Sequence, residues 1–441
     1  MKVKNWISAA AIATLSWNAV TPVYAEMSSE ALLANARTAT SENPVDSAAA
    51  IAALRKLGQE GIQAFLATYK SELRLANNPN WQQLNSALDA ICQQRDCYAT
   101  QLYWHTDLEQ AKAEAKATGK PILSLRLLGR LDEDLSCANS RFFRVALYPN
   151  AEISQTLRDR FVLHWQSVRP VPKITIDFGD GRKLERTVTG NSIHYILNSD
   201  GHPVDALPGM YGPQAFLQHL LQAEGVVKEA AKLPVAEQDN FIRKYHRDRL
   251  ATIQAKWVGD LQKLGIAAPE GLKPIPTKVP TAQEAGARAI SKLYVENPLV
   301  SAISSNQQAL NNVTNDESWN KIAQLHASEA RLDGNSLVAM RRKNPQVFNI
   351  AQRGITPGSP EDPLVPVVNR FESLMAMDTV RNEYLLQPQI YQWFIESPIN
   401  NLEAFNEQVY SQLFLTPSTD PWLGLLPADG YTAIQNEGVK Q

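Results

Sequence analysis

The residues in this chain whose types and spacing could do chemistry are its three cysteines, Cys92, Cys97 and Cys137. Cys137 opens the stretch "CANSRFFRVALY", which reads as a short helix. A helix start favours a thiolate through its unpaired amides and partial positive charge. Arg130, Arg141 and Arg144 would add to that effect, while Asp132, Glu133 and Asp134 would oppose it, so the sign of the net shift is open at this level. A lone cysteine is also commonly a small buried apolar residue. Cys92 and Cys97 are a different case. On one continuous helix their spacing would hold the Cα atoms about 8 Å apart, beyond disulfide reach, so a bond between them requires the helix to end between them.

The remaining polar candidates read as structural. His164 and His194 lie within strand patterns and suit satisfied core histidines; together with His202 they match no metal-ligand spacing, so no metal or cofactor is expected. The glycines of "FGDGR" lack the strand-to-helix context of a phosphate loop and suit a hairpin turn. Ser124 and Ser167 lack the flanking glycines of a nucleophile elbow. Tyr103, Trp104, Phe142, Phe143 and Trp165 read as core aromatics.

The elements that must position Cys137 belong to a chain of 441 residues, long enough for two or three structural units. With 44% hydrophobic and 20% charged residues it has the composition of an ordinary globular protein. A formal charge of -2 gives no electrostatic argument for nucleic acid or an anionic membrane. Lys2 and Lys4 precede an apolar segment from Trp6 to Val20 that ends in Val23-Tyr24-Ala25, the pattern of a signal peptide over residues 1–25. Export to the periplasm or beyond is the expected fate. No cysteine stands near Ala25 to carry a lipid, and no second apolar run is long enough to span a bilayer, so no stable membrane insertion is expected after cleavage. In an oxidising compartment an odd number of cysteines leaves one outside any pair within the chain.

Residues 26–100 carry helical patterns in "SSEALLANARTA", "DSAAAIAALRKLGQEGIQAFLATYKSELR" and "WQQLNSALDAICQQ", a helical N-terminal region. Residues 101–225 alternate between types. A helix with Thr106 as N-cap and Gly119 past its end leads into the apolar strand "ILSLRLL". Helical pieces follow Cys137, the second capped by Asn150; then come the strand "FVLHWQSV", a hairpin about Gly179, Asp180 and Gly181, a second antiparallel pair flanking "SDG", and a helix with Pro213 in its first turn. Residues 226–441 are mainly helical, with a charged helix from Val235 to Gly265 and a proline-rich linker near 266–280. Helices are also expected at "TAQEAGARAISKLYV", "ESWNKIAQLHASEARL", "VVNRFESLMAMDTVRNEYLL" and "NLEAFNEQVYSQLFL", and the tail from Thr416 is expected to pack back on the body. This half carries no catalytic motif.

The order from Thr106 to Leu220, roughly a quarter of the chain, resembles the thioredoxin fold, an α/β domain with a central mixed sheet and flanking helices. It is most similar to the thioredoxin-like family related to the spermatogenesis-associated proteins. That family runs through a lysine-proline-apolar strand, C-H-W-C, a helix, a phenylalanine-valine strand and an arginine-proline. Here stand Lys120-Pro121-Ile122, Cys137, Phe161-Val162 and Arg169-Pro170. The resemblance implies that Cys137 occupies the first cysteine position and Ser140 the second, giving C-x-x-S. It also implies a substrate-binding side at Asn191, Ser192 and Ile193, with Ser192 where thioredoxins place a cis-proline. The loop "RLDEDLS" before Cys137 is an insertion relative to the family.

Two functions follow as expectations. In the first, Cys137 carries out thiol–disulfide exchange with protein thiols. A C-x-x-S site cannot close its own disulfide and needs an outside thiol or a distant cysteine. In the second, the domain is a non-catalytic thioredoxin-fold scaffold that binds another envelope or secreted protein. They divide on whether Cys137 is an exposed thiol of depressed pKa or a buried one.

Overall fold

The computed structural model describes residues 28–75, 78–188, 190–266, 316–344, 350, 353–423 and 434–435. The expected signal peptide, the linker beyond Ile266 and the helix expected at 281–295 lie outside the described residues.

The N-terminal region folds into α1 (Ser29–Thr38), α2 (Pro44–Arg55), α3 (Gln59–Arg74) and α4 (Trp81–Cys92). Ser28 and Asn43 cap the first two by accepting hydrogen bonds from first-turn amides. The helical stretch from Asp46 to Arg74 breaks at Gly58, whose φ of 60° only glycine adopts readily. Gly61 then lets α3 turn back against the end of α2, since a Cβ there would sit 2.0 Å from the Leu54 carbonyl oxygen. Helix α4 stops at Cys92 because Gln93 turns left-handed, and the chain re-enters a helical turn, α5, at Cys97–Thr100. That break supplies what the spacing demanded: the Cα atoms of Cys92 and Cys97 are 6.3 Å apart and their sulfurs are bonded. Leu54, Ile62, Phe65, Leu88, Ile91 and the disulfide form a core of their own.

Next comes α6 (Leu108–Thr118). Its cap is Asp107, not the expected Thr106: the Asp107 carboxylate accepts from the amides of Glu109 and Gln110, and an anion there is favoured by the helix dipole as a hydroxyl is not. Strand β1 (Ile122–Leu128) is buried along its whole length, as its apolar run requires. Then follow α7 (Ala138–Phe142) with a π-helical continuation to Leu147, α8 (Ala151–Arg160) capped by Asn150, β2 (Val162–Arg169), the hairpin β3 (Lys173–Asp177) and β4 (Lys183–Thr187), β5 (Ser192–Leu197), β6 (Pro203–Pro208), α9 (Pro213–Ala230) and α10 (Val235–Lys263). The C-terminal half contributes α11 (Asp316–Leu325), α12 (Gly334–Lys343), α13 (Leu364–Arg381), α14 (Gln387–Glu396) and α15 (Leu402–Gln408).

The main sheet has the order β2-β1-β5-β6, with β1 parallel to β2, antiparallel to β5, and β5 antiparallel to β6. The hairpin β3-β4 stands apart as its own ribbon. This makes the unit an α/β domain built on a four-stranded mixed sheet. Alternation along the strands divides its faces. One presents Leu123, Leu125, Leu127 and His194; the rings of Phe143 after α7 and Phe216 on α9 lie 4.7 and 5.1 Å from that of His194. The other presents Ser124, Arg126, His164 and Tyr195. His105 adds a single parallel bridge to β2 at His164, and right-handed connections then place α6 on this second face. The rest of the face is covered by α15, whose Phe405 ring lies 5.7 Å from Tyr195. One continuous apolar core therefore runs from Leu102 to Leu423. No helix among the described residues is long and apolar enough to cross a membrane.

Candidate functional site around Cys137

The loop from Gly129 to Ser136 joins β1 to α7 and carries Cys137 to the helix start. Gly129, at φ 75°, donates its amide to the Arg169 carbonyl, and a Cβ on it would crowd Val171 and the Ser136 backbone. Arg144, one turn into the helix, is 1% exposed and holds the loop from inside. Its guanidinium donates to the carbonyls of Leu131, Glu133, Asp134 and Ser140. Asp96, in the disulfide loop, lies 3.7 Å from the same guanidinium, so the N-terminal module is tied to the base of the site.

Cys137 is the N-cap residue of α7, with its amide donating to Leu128 O at 3.1 Å. It is not in a disulfide, and its exposure is 0%, within the main core. The phenols of Tyr148 and Tyr410 lie near enough for a charge on Cys137 to act on both, and burial first, then Cys137, pushes their pKa values far up.

Ser140 directs its hydroxyl to the start of its own turn, 2.7 Å from Ser136 Oγ and 2.8 Å from the Cys137 carbonyl oxygen. Asn191, Ser192 and Ile193 sit at the head of β5, opposite α7, and all three are buried. Asn139 makes the junction by donating from Nδ2 to the Gly190 carbonyl and to Ser192 Oγ. Asn191 donates from Nδ2 to Thr416 Oγ1 at 3.2 Å, and its carbonyl accepts from the Tyr410 hydroxyl at 3.3 Å. Ile193 pairs with Arg126 and Pro208 within the sheet.

Cys137 and Ser140 on α7 and Asn191 and Ser192 at the head of β5 are joined through Asn139, whereas Ile193 stays in the sheet ladder; the tail expected to pack back from Thr416 does so, together with the helix before it. Asn139, Tyr148 and Tyr410 had no expected role; Arg144 was expected to favour a thiolate and instead holds the loop, and Thr416 was expected only as the start of a tail packed on the body, which it is. Only Asn139 carried a local signal, lying inside the C-x-x-S segment. Tyr410 and Thr416 come from 219 and 225 residues away.

The histidines take the structural roles expected of them. His164 Nδ1 lies 2.8 Å from Ser124 Oγ, and His194 Nε2 lies 2.7 Å from the Tyr148 hydroxyl. Burial, and for His164 the nearby Arg126 and His105, lowers both imidazoles to about 3, which keeps them neutral. Among the described residues no cluster of histidine, cysteine and carboxylate side chains could hold a metal ion.

Fold and site together define an α/β protein with a four-stranded mixed sheet and an enclosed thiol at the start of the helix after its central strand. Set against known proteins, the chain matches no family model, no curated protein and no solved structure.

Proposed function

We propose that this protein is an exported, thioredoxin-like scaffold or binding module of the cell envelope in which Cys137 packs the core and does not exchange disulfides. The observation that carries the reading is the complete burial of Cys137 within the main core. Exchange requires an incoming sulfur to reach the thiolate along an open path.

Support for the thioredoxin-like part comes from the strand order and directions, the helix that follows β1 with a cysteine at its start, and the head of β5 facing that helix. Support for export comes from the buried Cys92–Cys97 disulfide, a bond that persists in oxidising compartments. The partner would be another envelope or secreted protein.

The test compares native protein with Cys137→Ser for reduction of a protein disulfide and for exchange with oxidised glutathione. Equal, background-level rates are expected. Turnover that disappears in Cys137→Ser would overturn the proposal.

A further inference from the structure

We infer that residues 402–423 form a strap that opens as a unit without unfolding the sheet, and that this opening governs access to Cys137 and the Asn191–Ser192 loop. The inference rests on reading that face as the working face of the domain.

The strap comprises α15, a π-helical turn over Val409–Leu413 and an extension to Leu423. Phe405, Tyr410, Leu413 and Phe414 are buried beneath it. Its polar tethers all involve side chains. Arg126 donates to both carboxylate oxygens of Glu403, at 2.7 and 3.3 Å. Tyr195 donates to Asn406 Oδ1 at 3.2 Å. Arg169 reaches the carbonyls of Thr416 and Asp420, each at 2.8 Å. Asn191 adds its contacts with Tyr410 and Thr416. Among the described residues, no backbone-to-backbone hydrogen bond joins the strap to the sheet. The strands are zipped to each other by ladders, so the strap can leave without breaking one.

Two further features favour opening at this place. Leu415 and Leu423 hold φ values of 57° and 55°, a left-handed conformation that leucine adopts only at a cost, and release of the strap relieves it. The segment before the strap, from Glu396 to Asn401, is mostly exposed and outside regular structure from Ser397 on, which gives it a hinge. Tyr410 anchors the strap over the head of β5 by donating to the Asn191 carbonyl, and Cys137 lies in the same core, close enough for its charge to act on Tyr410. Lifting the strap frees the Asn191 carbonyl and removes the Tyr410 side of the packing around Cys137.

The experiment follows alkylation of Cys137 by iodoacetamide in the full chain with its disulfide intact, by intact mass, across urea concentrations below the unfolding midpoint. Tryptophan fluorescence gives the urea dependence of global unfolding. The expected rate is slow and rises with urea at less than about half the global slope, the mark of a sub-global opening. Glu403→Gln should raise the low-urea rate on the order of tenfold by removing a charged acceptor, and Asn406→Ala should raise it as well. Leu220→Ala, in the same core but on α9, should lower the global midpoint and leave the low-urea rate unchanged. A rate that follows global unfolding with its full slope, or that responds equally to Glu403→Gln and Leu220→Ala, overturns the strap. A rate equal to that of an unfolded thiol at every urea concentration overturns both the strap and the burial reading. Cys137-dependent turnover in the exchange assay overturns the proposed function alone.

Discussion

His164, His194, His219 and His246 are all buried, and burial above all pushes each imidazole down to about 3. Neighbouring groups add to it: Arg126 and then His105 beside His164, Arg249 and Lys256 beside His219, and Arg249 beside His246, with only Asp107 at His164 and the Val204 carbonyl at His246 working the other way. A histidine whose folded pKa is depressed stays neutral in the native state while the unfolded chain takes up protons below about 6.5. Its stabilisation is therefore present above that value and is lost as pH falls towards 3. From pH 7 to 5.5 each such histidine costs on the order of 1 kcal/mol, or about 5 kcal/mol for the four. Two buried carboxyls oppose this. Burial raises Asp89 to about 7 and Asp205 to about 6, so their destabilising effect at neutral pH is relieved on acidification. Over the same interval they return about 2 kcal/mol. His326, whose pKa the hydrogen bonds to Glu329 and Asp260 raise against its burial, also gains on acidification, so the net loss is at most about 2–3 kcal/mol, a large part of the stability of an ordinary domain. Urea unfolding at both pH values and equal ionic strength measures it. His194→Gln, which can keep a partner for the Tyr148 hydroxyl, should reduce the loss by about 1 kcal/mol. Equal or greater stability at pH 5.5, or an unchanged pH response in His194→Gln, would refute the reasoning.

Replacing Cys92 and Cys97 together by serine should lower stability by about 2 kcal/mol, the loop-closure value for so short a loop, measured as a shift of the urea midpoint in non-reducing buffer. The Arg126–Glu403 pair should respond asymmetrically, because the Arg126 side chain is 1% exposed and that of Glu403 62%. Arg126→Met leaves Glu403 in water and should stay within about 1 kcal/mol of the native protein, whereas Glu403→Gln leaves a buried cation short of its anion and should cost about 2 kcal/mol. Urea midpoints of the two variants decide it, and a larger loss in Arg126→Met would be contrary evidence.

Much of the sheet was legible because its signals are local. "ILSLRLL" and "FVLHWQSV" have the lengths and residue types of buried strands, and Gly179 and Gly181 supply the positive φ angles, 76° and 90°, that the β3-β4 turn uses. Helices α12 and α14 were not expected; α14 continues α13 through a π-helical turn over Asn382–Leu386, and Pro388 inside that continuous stretch reads locally as a break. Cys137 at a helix start was legible; its burial was not, since that depends on Tyr410 and on packing that no local pattern encodes. The break at Gln93 was also hidden, because a left-handed glutamine has no signature in composition.

Arg126 shows why the C-terminal half belongs to the sheet. A charged residue in the middle of a buried strand is costly unless a partner satisfies it, and its partner here is Glu403, 277 residues later in the chain. The same face carries Ser124, His164 and Tyr195. Ser124 pairs with His164 Nδ1, whereas Tyr195 relies on Asn406. Apolar packing alone could not cover such a face, because Arg126 and Tyr195 would be buried without acceptors. A segment with a carboxylate, an amide and an aromatic at the right spacing is needed, and "NLEAFNEQVY" provides Glu403, Asn406 and Phe405 within a single helical turn. Residues 101–225 therefore have the strands of a complete sheet but lack a complete set of partners for one of its faces. The polarity of that face both makes the strap necessary and, through tethers that are side chains and not backbone ladders, makes it releasable.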